Sequence, residues 1–178
     1  LDDSAGGRFA IGAGTGVVTV ADGSLLDREA AASHAITVRA TSADGSFSTQ
    51  AFTIAVTDVD EFDVGAISDT DAAADGVTEN AAVGTLVGIT AFASDADATT
   101  NAITYSLDDD AGGRFTIGGG TGVVTVAGAI DREAAASHTI TVRATSADGS
   151  FSTQVFAIAV VDVDECDVDA ISDTAATA

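Results

Sequence analysis

The chain has 178 residues, enough for one or two domains of ordinary size, and 46% of them are hydrophobic, as in globular proteins. It carries 28 acidic residues against six basic ones, for a formal net charge of −22 at pH 7. This charge repels phosphate backbones and anionic membrane surfaces, which argues against a nucleic-acid partner. With no apolar run of spanning length, we also expect no membrane insertion of this segment. The sequence has no methionine, as expected of an internal piece of a longer protein.

An internal repeat organises the chain from its first residue. Leu1–Phe9 returns almost unchanged as Leu107–Phe115, and Ile36–Gln50 returns without any change as Ile140–Gln154. The period of about 104 residues is the size of a domain, so it predicts tandem domains and not the short units of a solenoid.

The phase of the repeat predicts three segments. Residues 1–61 correspond to the second half of one domain, residues 62–165 to a complete domain, and residues 166–178 to the start of a third. The first segment has no counterpart of the first three strands of the complete domain. Taken alone, it is expected to expose a core face and an unpaired sheet edge.

The complete domain is predicted to be all-β. A first strand is expected at Ala66–Thr70, and later stretches alternate apolar with polar residues, the pattern of half-buried strands. Gly118–Gly122 joins two of them in a hairpin; no lysine follows it, so a turn is favoured over a phosphate loop. About seven strands result, the number in a two-sheet sandwich. The alternating residues are Val87, Ile89, Ala91, Ile103, Tyr105, Phe115, Ile117, Val124, Val126, Ile140, Val142, Ala144, Phe156, Ile158 and Val160.

Acidic residues cluster at the predicted strand ends. Asp58–Glu61 and its copy Asp162–Glu165 each place three carboxylates in four residues, directly after an apolar run. Carboxylates this close repel one another in a chain with few cations, so the expected counter-charge is a hard divalent cation with oxygen ligands. Strand ends gather at two poles of a sandwich, which places Asp95 and Asp97 at the pole reached by the preceding domain. The other acidic positions are Glu79, Asp27, Glu29, Asp131 and Glu133.

With these motifs, the sequence resembles the cadherin repeat, in the form found in large bacterial surface proteins. The resemblance implies a seven-stranded Greek-key, immunoglobulin-like β-sandwich, repeated in tandem, with Ca²⁺ bound between successive domains. The matching elements span the complete domain and are Thr78–Asn80, Ala93–Asp97, Ile103–Leu107, Phe115, Thr121–Val124, Ile130–Glu133, Val142–Thr145 and Asp162–Glu165.

Residue by residue, the resemblance implies two calcium joints. The first would take its ligands from Asp27, Glu29, Asp58, Asp60, Glu61, Asp95 and Asp97. The second would take its ligands from Glu79, Asp131, Glu133, Asp162, Asp164 and Glu165. The second lacks a downstream Asp-x-Asp pair in this sequence, so we expect the first joint to fill more readily. Ser42 and Ser146 stand where the family has an aspartate, which predicts fewer ions per joint or weaker binding.

The function expected from these observations is structural and non-enzymatic. We expect an extracellular or cell-surface module, a calcium-stiffened segment of a long adhesin or matrix protein whose partners are neighbouring repeats. His34 and His138 stand beside serines in both copies, which favours packing over catalysis.

Two alternatives remain open at this stage. In the first, the repeats form an extracellular filament in which one chain supplies strands to its neighbour, with homophilic contacts in a fibre. The second, a carbohydrate-binding module, is disfavoured by 5% aromatic residues, no tryptophan and the single Tyr105.

Overall fold

The computed structural model describes residues 1–164 and divides the chain into two compact units. Unit 1 consists of Leu1–Asp63 together with the segment Asp95–Ala102, and unit 2 consists of Val64–Ser94 and the chain from Ile103 onward. Glu165 and the expected third repeat at residues 166–178 lie outside the described residues. The domain boundaries inferred from the repeat stay a prediction.

Unit 1 contains four strands in two two-stranded antiparallel sheets. β1 (Phe9–Ile11) pairs with β2 (Val18–Val20), and β3 (Ser33–Thr41) pairs with β4 (Phe47–Ala55). Asp3 adds an isolated antiparallel bridge to Thr37 of β3. Both pairings follow the alternating pattern of the sequence, since Phe9 and Ile36 point inward and are 5% and 2% exposed.

Up to residue 164, unit 2 contains eight strands in two four-stranded sheets. One sheet has the order β5-β7-β10-β9, and the other has the order β6-β12-β11-β8. All neighbours are antiparallel except β6 and β12, which run parallel. The strands are β5 (Ser68–Asp69), β6 (Gly76–Thr78), β7 (Leu86–Phe92), β8 (Thr104–Asp109), β9 (Phe115–Ile117), β10 (Val123–Val126), β11 (Ser137–Thr145) and β12 (Phe151–Val161).

The core of unit 2 lies between its two sheets. Alternate side chains of β7, β10, β11 and β12 point inward, and Val87, Val126, Ile140 and Ile158 are completely buried. The all-β sandwich expected from the sequence is therefore confirmed. Within residues 1–164, no helix is long and apolar enough to cross a membrane.

The structure has one strand more than the sequence pattern predicted. The expected first strand, Ala66–Thr70, contains β5, and β6 is the additional strand; the two belong to different sheets because the chain crosses from one to the other between Asp69 and Gly76. β6 is not predictable from the sequence pattern because it is only three residues long and buries a single side chain, that of Val77.

The glycine-rich run forms the turn between β9 and β10. Gly122 has a φ of +69°, and a Cβ atom there would lie 2.1 Å from the carbonyl oxygen of Ala91 on β7. Its own oxygen accepts a hydrogen bond from the Ala91 N–H at 2.9 Å. Glycine is thus required by the backbone conformation and by the close approach of β7.

Candidate metal centre

Four carboxylates of unit 1 converge on one point. Glu29, Asp58, Glu61 and Asp97 each offer an oxygen, and these oxygens all lie within 4.8 Å of one another. We call this group site A. Glu29 comes from the loop before β3, and Asp58 and Glu61 follow β4, whereas Asp97 comes from the loop between β7 and β8.

Asp97 is held by the backbone that surrounds it. It is 2% exposed, and its carboxylate accepts hydrogen bonds from the N–H groups of Glu61 at 3.2 Å and Phe62 at 3.3 Å. Its own N–H donates to Asp95, and its carbonyl oxygen accepts from the Asn101 side chain at 2.6 Å. These bonds fix the loop so that the Asp97 carboxylate faces site A.

Asp58 leaves one carboxylate oxygen without a partner. Its Oδ2 accepts a hydrogen bond from the hydroxyl of Thr99, whereas its Oδ1 is buried and has no hydrogen-bond partner among the described residues. Glu29 is oriented by a hydrogen bond from the N–H of Ala98 at 3.2 Å. A buried anionic oxygen without a donor is costly, and a bound cation would satisfy it.

The charges of site A act on one another. Partial desolvation raises the pKa of Glu61, and repulsion from Glu29, Asp97 and Asp58 raises it further. The hydrogen bond from Thr99 lowers the pKa of Asp58. Site A therefore gathers negative charge that its own protein environment does not fully compensate.

A second group, site B, lies in unit 2 and consists of Glu79, Asp131 and Glu133. Their oxygens also lie within 4.8 Å of one another. Glu79 is 3% exposed and accepts hydrogen bonds from the N–H groups of Val163 at 2.6 Å and Arg132 at 2.8 Å. These two bonds lower the pKa of Glu79.

The remaining predicted ligands lie outside these two groups. Asp27 accepts a hydrogen bond from the N–H of Ala30 at 2.9 Å, which closes the turn before β3. Asp95 accepts from the N–H of Asp97 at 3.1 Å and so positions a member of site A. Neither Asp60 nor Asp95 belongs to site A, and neither Asp162 nor Asp164 belongs to site B, within the described residues. Glu165 lies outside the described residues.

The residues that support site A were not predicted from the sequence. Thr99 and Asn101 hold Asp58 and Asp97 in place. They stand in a Thr- and Ala-rich loop, where nothing in the local pattern separates a supporting hydroxyl or amide from a solvated one.

The donor set of both sites fits calcium. Calcium takes about 6–8 hard oxygen ligands in flexible geometry, and carboxylates together with backbone carbonyls and water supply them. Histidine and cysteine, the ligands typical of zinc, are absent from sites A and B. The unpartnered oxygen of Asp58 is the structural observation that favours a cation at site A.

Comparison with known proteins gives a consistent result. A family model described as "Cadherin domain" matches residues 76–167. Cadherin EGF LAG seven-pass G-type receptor 1 from mouse is 35% identical over 145 residues, which are 81% of this chain and 5% of the receptor. Protocadherin Fat 4 from mouse is 36% identical over 139 residues, or 78% of this chain and 3% of that protein. This chain therefore spans only a small part of these relatives.

A solved structure shares the fold. The crystal structure of mouse cadherin-23 EC22-24 matches with a TM-score of 0.69 and 24% identity, covering 90% of this chain and 52% of that one. At this level of identity, the likeness shows the fold alone.

Proposed function

Because this chain belongs to the cadherin family, we propose that it is a calcium-binding structural repeat of a long extracellular adhesin or matrix protein, in which calcium bound at the acidic joints stiffens the array. Cadherin domains are extracellular, non-enzymatic, adhesion-type modules that generally bind calcium. The proposal also places the parent protein on a bacterial surface. The relatives named above are mouse proteins.

The observation that carries the proposal is the unpartnered Oδ1 of Asp58 inside a group of four carboxylates. Calcium, when bound, supplies the positive charge that this group lacks. Glu29, Asp58 and Glu61 belong to the first sequence repeat and Asp97 to the second, so these side chains can hold one ion with ligands from both repeats. In the absence of the ion, their mutual repulsion favours separation of the ligands.

Calorimetric titration of calcium into the full chain tests the proposal. We expect a binding isotherm for the wild type that is weakened at least about tenfold in Asp58→Asn, since a carboxylate is replaced by a neutral amide. Asp63→Asn is the matched control, because it removes the same charge from an exposed position near site A but outside it. Equal isotherms for the two variants, or no heat in the wild type, would contradict calcium binding at site A.

The stiffening itself needs a separate measurement. Small-angle scattering of an intact multi-repeat array is expected to show a narrower and longer distribution of lengths with calcium than with a chelator. An unchanged distribution would contradict the stiffening while leaving calcium binding intact.

A further inference from the structure

Four aspartates of the chain are followed directly by glycine. They are Asp22, Asp44, Asp75 and Asp148. An aspartate before glycine can form a cyclic imide, because glycine has no side chain that would keep its backbone nitrogen away from the carboxyl carbon. The surroundings of each aspartate decide how readily it reacts. Three of the four share one arrangement, and Asp75 differs.

In these three cases, a serine two residues after the aspartate binds the carboxylate through both its N–H group and its hydroxyl. The N–H bonds measure between 2.6 and 3.0 Å, and the hydroxyl bonds measure between 2.6 and 3.1 Å. Hydrogen bonds of this kind favour the ionised form of a carboxyl group and fix its orientation. The pairs are Ser24 with Asp22, Ser46 with Asp44 and Ser150 with Asp148.

An ionised carboxylate resists imide formation. The reaction expels one carboxyl oxygen, which leaves as water from a carboxylic acid but has no comparable route from a carboxylate. The hydrogen bonds from Ser24 lower the pKa of Asp22, and those from Ser46 lower the pKa of Asp44. Near neutral pH, these aspartates therefore hold little of the reactive acid form.

Asp75 has no such donor. Val77 stands where the other three sequences have serine; it carries no hydroxyl and is buried in the core of unit 2. In the parallel register of β6 and β12, the N–H of Val77 faces Ala159 and belongs to the sheet. Among residues 1–164, no N–H group and no serine or threonine hydroxyl donates to the Asp75 carboxylate.

The charges around Asp75 favour its neutral form. Burial raises the pKa of Asp75 above the ordinary value of 3.8, and the charge of Asp69, a hydrogen bond shared with Asp69 and the charge of Asp71 raise it further. Both neighbours are acidic, and no basic residue of the described chain contributes. At any pH above the ordinary value, a group with a raised pKa retains more of its acid form, so Asp75 keeps more of the reactive species than an unperturbed aspartate.

The nitrogen of Gly76 is not held by the neighbouring strand. β6 is an edge strand, and the N–H of Ala159 donates to the carbonyl oxygen of Asp75 at 3.0 Å. Alternate N–H groups of a strand face the same partner, so the N–H of Val77 faces β12 and that of Gly76 faces the edge. The nucleophile of the reaction therefore lies outside the hydrogen bonds between β6 and β12.

We propose that Asp75 and Gly76 form a site of spontaneous modification, at which Asp75 converts to isoaspartate faster than the other three aspartates that precede glycine. The nitrogen of Gly76 attacks Cγ of Asp75, its proton passes to solvent, and the carboxyl hydroxyl leaves with a proton as water. Water then opens the cyclic imide. Hydrolysis at the former main-chain carbonyl gives isoaspartate, and hydrolysis at Cγ restores aspartate, so one water is released, one is consumed and no further reactant is needed.

Isoaspartate changes the backbone where β6 begins. The main chain becomes one carbon longer, and the carbonyl group that bonds to Ala159 becomes part of a side-chain carboxylate. The pairing of β6 with β12 is therefore expected to weaken. Glu79 of site B follows β6 directly, so the modification is also expected to shift this carboxylate. The inference itself does not depend on calcium binding.

Peptide mapping of the full chain after prolonged incubation near neutral pH tests the proposal. Cleavage after glutamate gives four peptides that each contain one aspartate followed by glycine, namely residues 1–29, 30–61, 62–79 and 134–165. Electron-transfer mass spectrometry distinguishes isoaspartate from aspartate in each peptide. We expect isoaspartate to accumulate at least about fivefold faster in 62–79, since the other three carboxylates would first lose hydrogen bonds. An equal or faster rate in another peptide would overturn the proposal.

Incubation in denaturant separates the effect of the fold from that of the local sequence. The serine turns and the charges around Asp75 are lost on unfolding, so the four rates are expected to agree within about twofold. If the peptide 62–79 keeps the same lead in denaturant, the lead is a property of the sequence alone and the proposal is wrong.

Two variants complete the test. Asp75→Glu should abolish isoaspartate in 62–79, because glutamate would have to form a larger and less favourable ring; an unchanged signal would place the modification at another residue and overturn the proposal. Ser46→Ala should raise the rate at Asp44 by about fivefold, because the carboxylate loses its hydroxyl donor. Asp148 lies in a turn of identical sequence and is the internal control. An unchanged rate at Asp44 would contradict the role assigned to the serines.

Discussion

The carboxylate of Asp97 accepts a hydrogen bond from the backbone N–H of Glu61, with an oxygen–nitrogen distance of 3.2 Å. One buried side chain thus organises the backbone after β4 and also presents charge to site A. These two roles can be separated by substitution.

Asp97→Ala and Asp97→Asn are expected to differ in stability in a chelator but to agree in how little calcium stabilises them. Without calcium, Asp97→Ala should destabilise unit 1 by about 2 kcal/mol, because two N–H groups lose their acceptor, while the asparagine variant keeps an acceptor oxygen and loses less. With calcium, both variants should lose most of the stabilisation by the ion. Differential scanning calorimetry measures both effects, and equal losses in the chelator would show that the hydrogen bonds contribute little.

Gly122→Ala should destabilise unit 2 by about 3 kcal/mol, since alanine resists the positive φ and its methyl group would collide with β7. Gly120→Ala in the same turn is the matched control, because a Cβ atom there meets nothing within 4 Å. Thermal unfolding followed by far-ultraviolet circular dichroism gives both values. A Gly122→Ala variant as stable as the control would contradict the close approach of Ala91.

Acidification is expected to weaken unit 2 through His138. The ring of His138 packs against Phe115 with 5.9 Å between ring centroids, and its Nε2 atom is buried without a partner among the described residues. Burial lowers the pKa of His138, and the charge of Arg114 lowers it further.

The sign of this effect follows from proton uptake. The unfolded chain protonates His138 near its ordinary pKa of 6.5, while the folded protein resists protonation, so stability falls as the pH drops below that value. His138→Leu should show a smaller decrease in melting temperature between pH 7 and pH 5, measured by calorimetry in a chelator. Parallel pH profiles for the two proteins would contradict the role of His138.

Equivalent core substitutions should have unequal effects in the two units. Val142→Ala is expected to reduce the stability of unit 2 by about 2 kcal/mol, because it leaves a cavity in a closed core. Val38→Ala should reduce the stability of unit 1 by less than about 1 kcal/mol, because its side chain is only partly buried. Hydrogen exchange of the full chain resolves the two units, and equal effects of the two substitutions would show that Val38 is packed as tightly as Val142.

The sequence predicts the sandwich well and its crossing segment poorly. The alternation of apolar and polar residues around Ile140, Val142 and Ile158 is sufficient to predict the long strands, because one face of each long strand is buried. β6 cannot be predicted from such a pattern, since three residues are too few to show alternation and the position of β6 depends on its pairing with β12. Long strands can be predicted from their own local sequence, whereas the position of a short strand is determined by the strands with which it pairs.

The site was partly predictable for a similar reason. Acidic residues at strand ends, together with the resemblance, predicted a ligand set that includes Glu29, Asp58, Glu61 and Asp97. The structure brings these four together, and their binding of a cation stays a prediction. Thr99 could not be found in this way, because its role arises from a hydrogen bond to a residue far away in the sequence.

The identity of Ile36–Gln50 and Ile140–Gln154 also bears on how the chain folds. During synthesis, each strand of one hairpin has two chemically equivalent partners, so mispairing between repeats competes with correct folding. The turns act against this error. Ser42 and Ser146 close them through hydrogen bonds from their N–H groups to the carbonyl oxygens of Ser46 and Ser150, at 2.8 and 2.9 Å. Since short loops close fastest, each hairpin forms with its own second strand before the distant copy can compete.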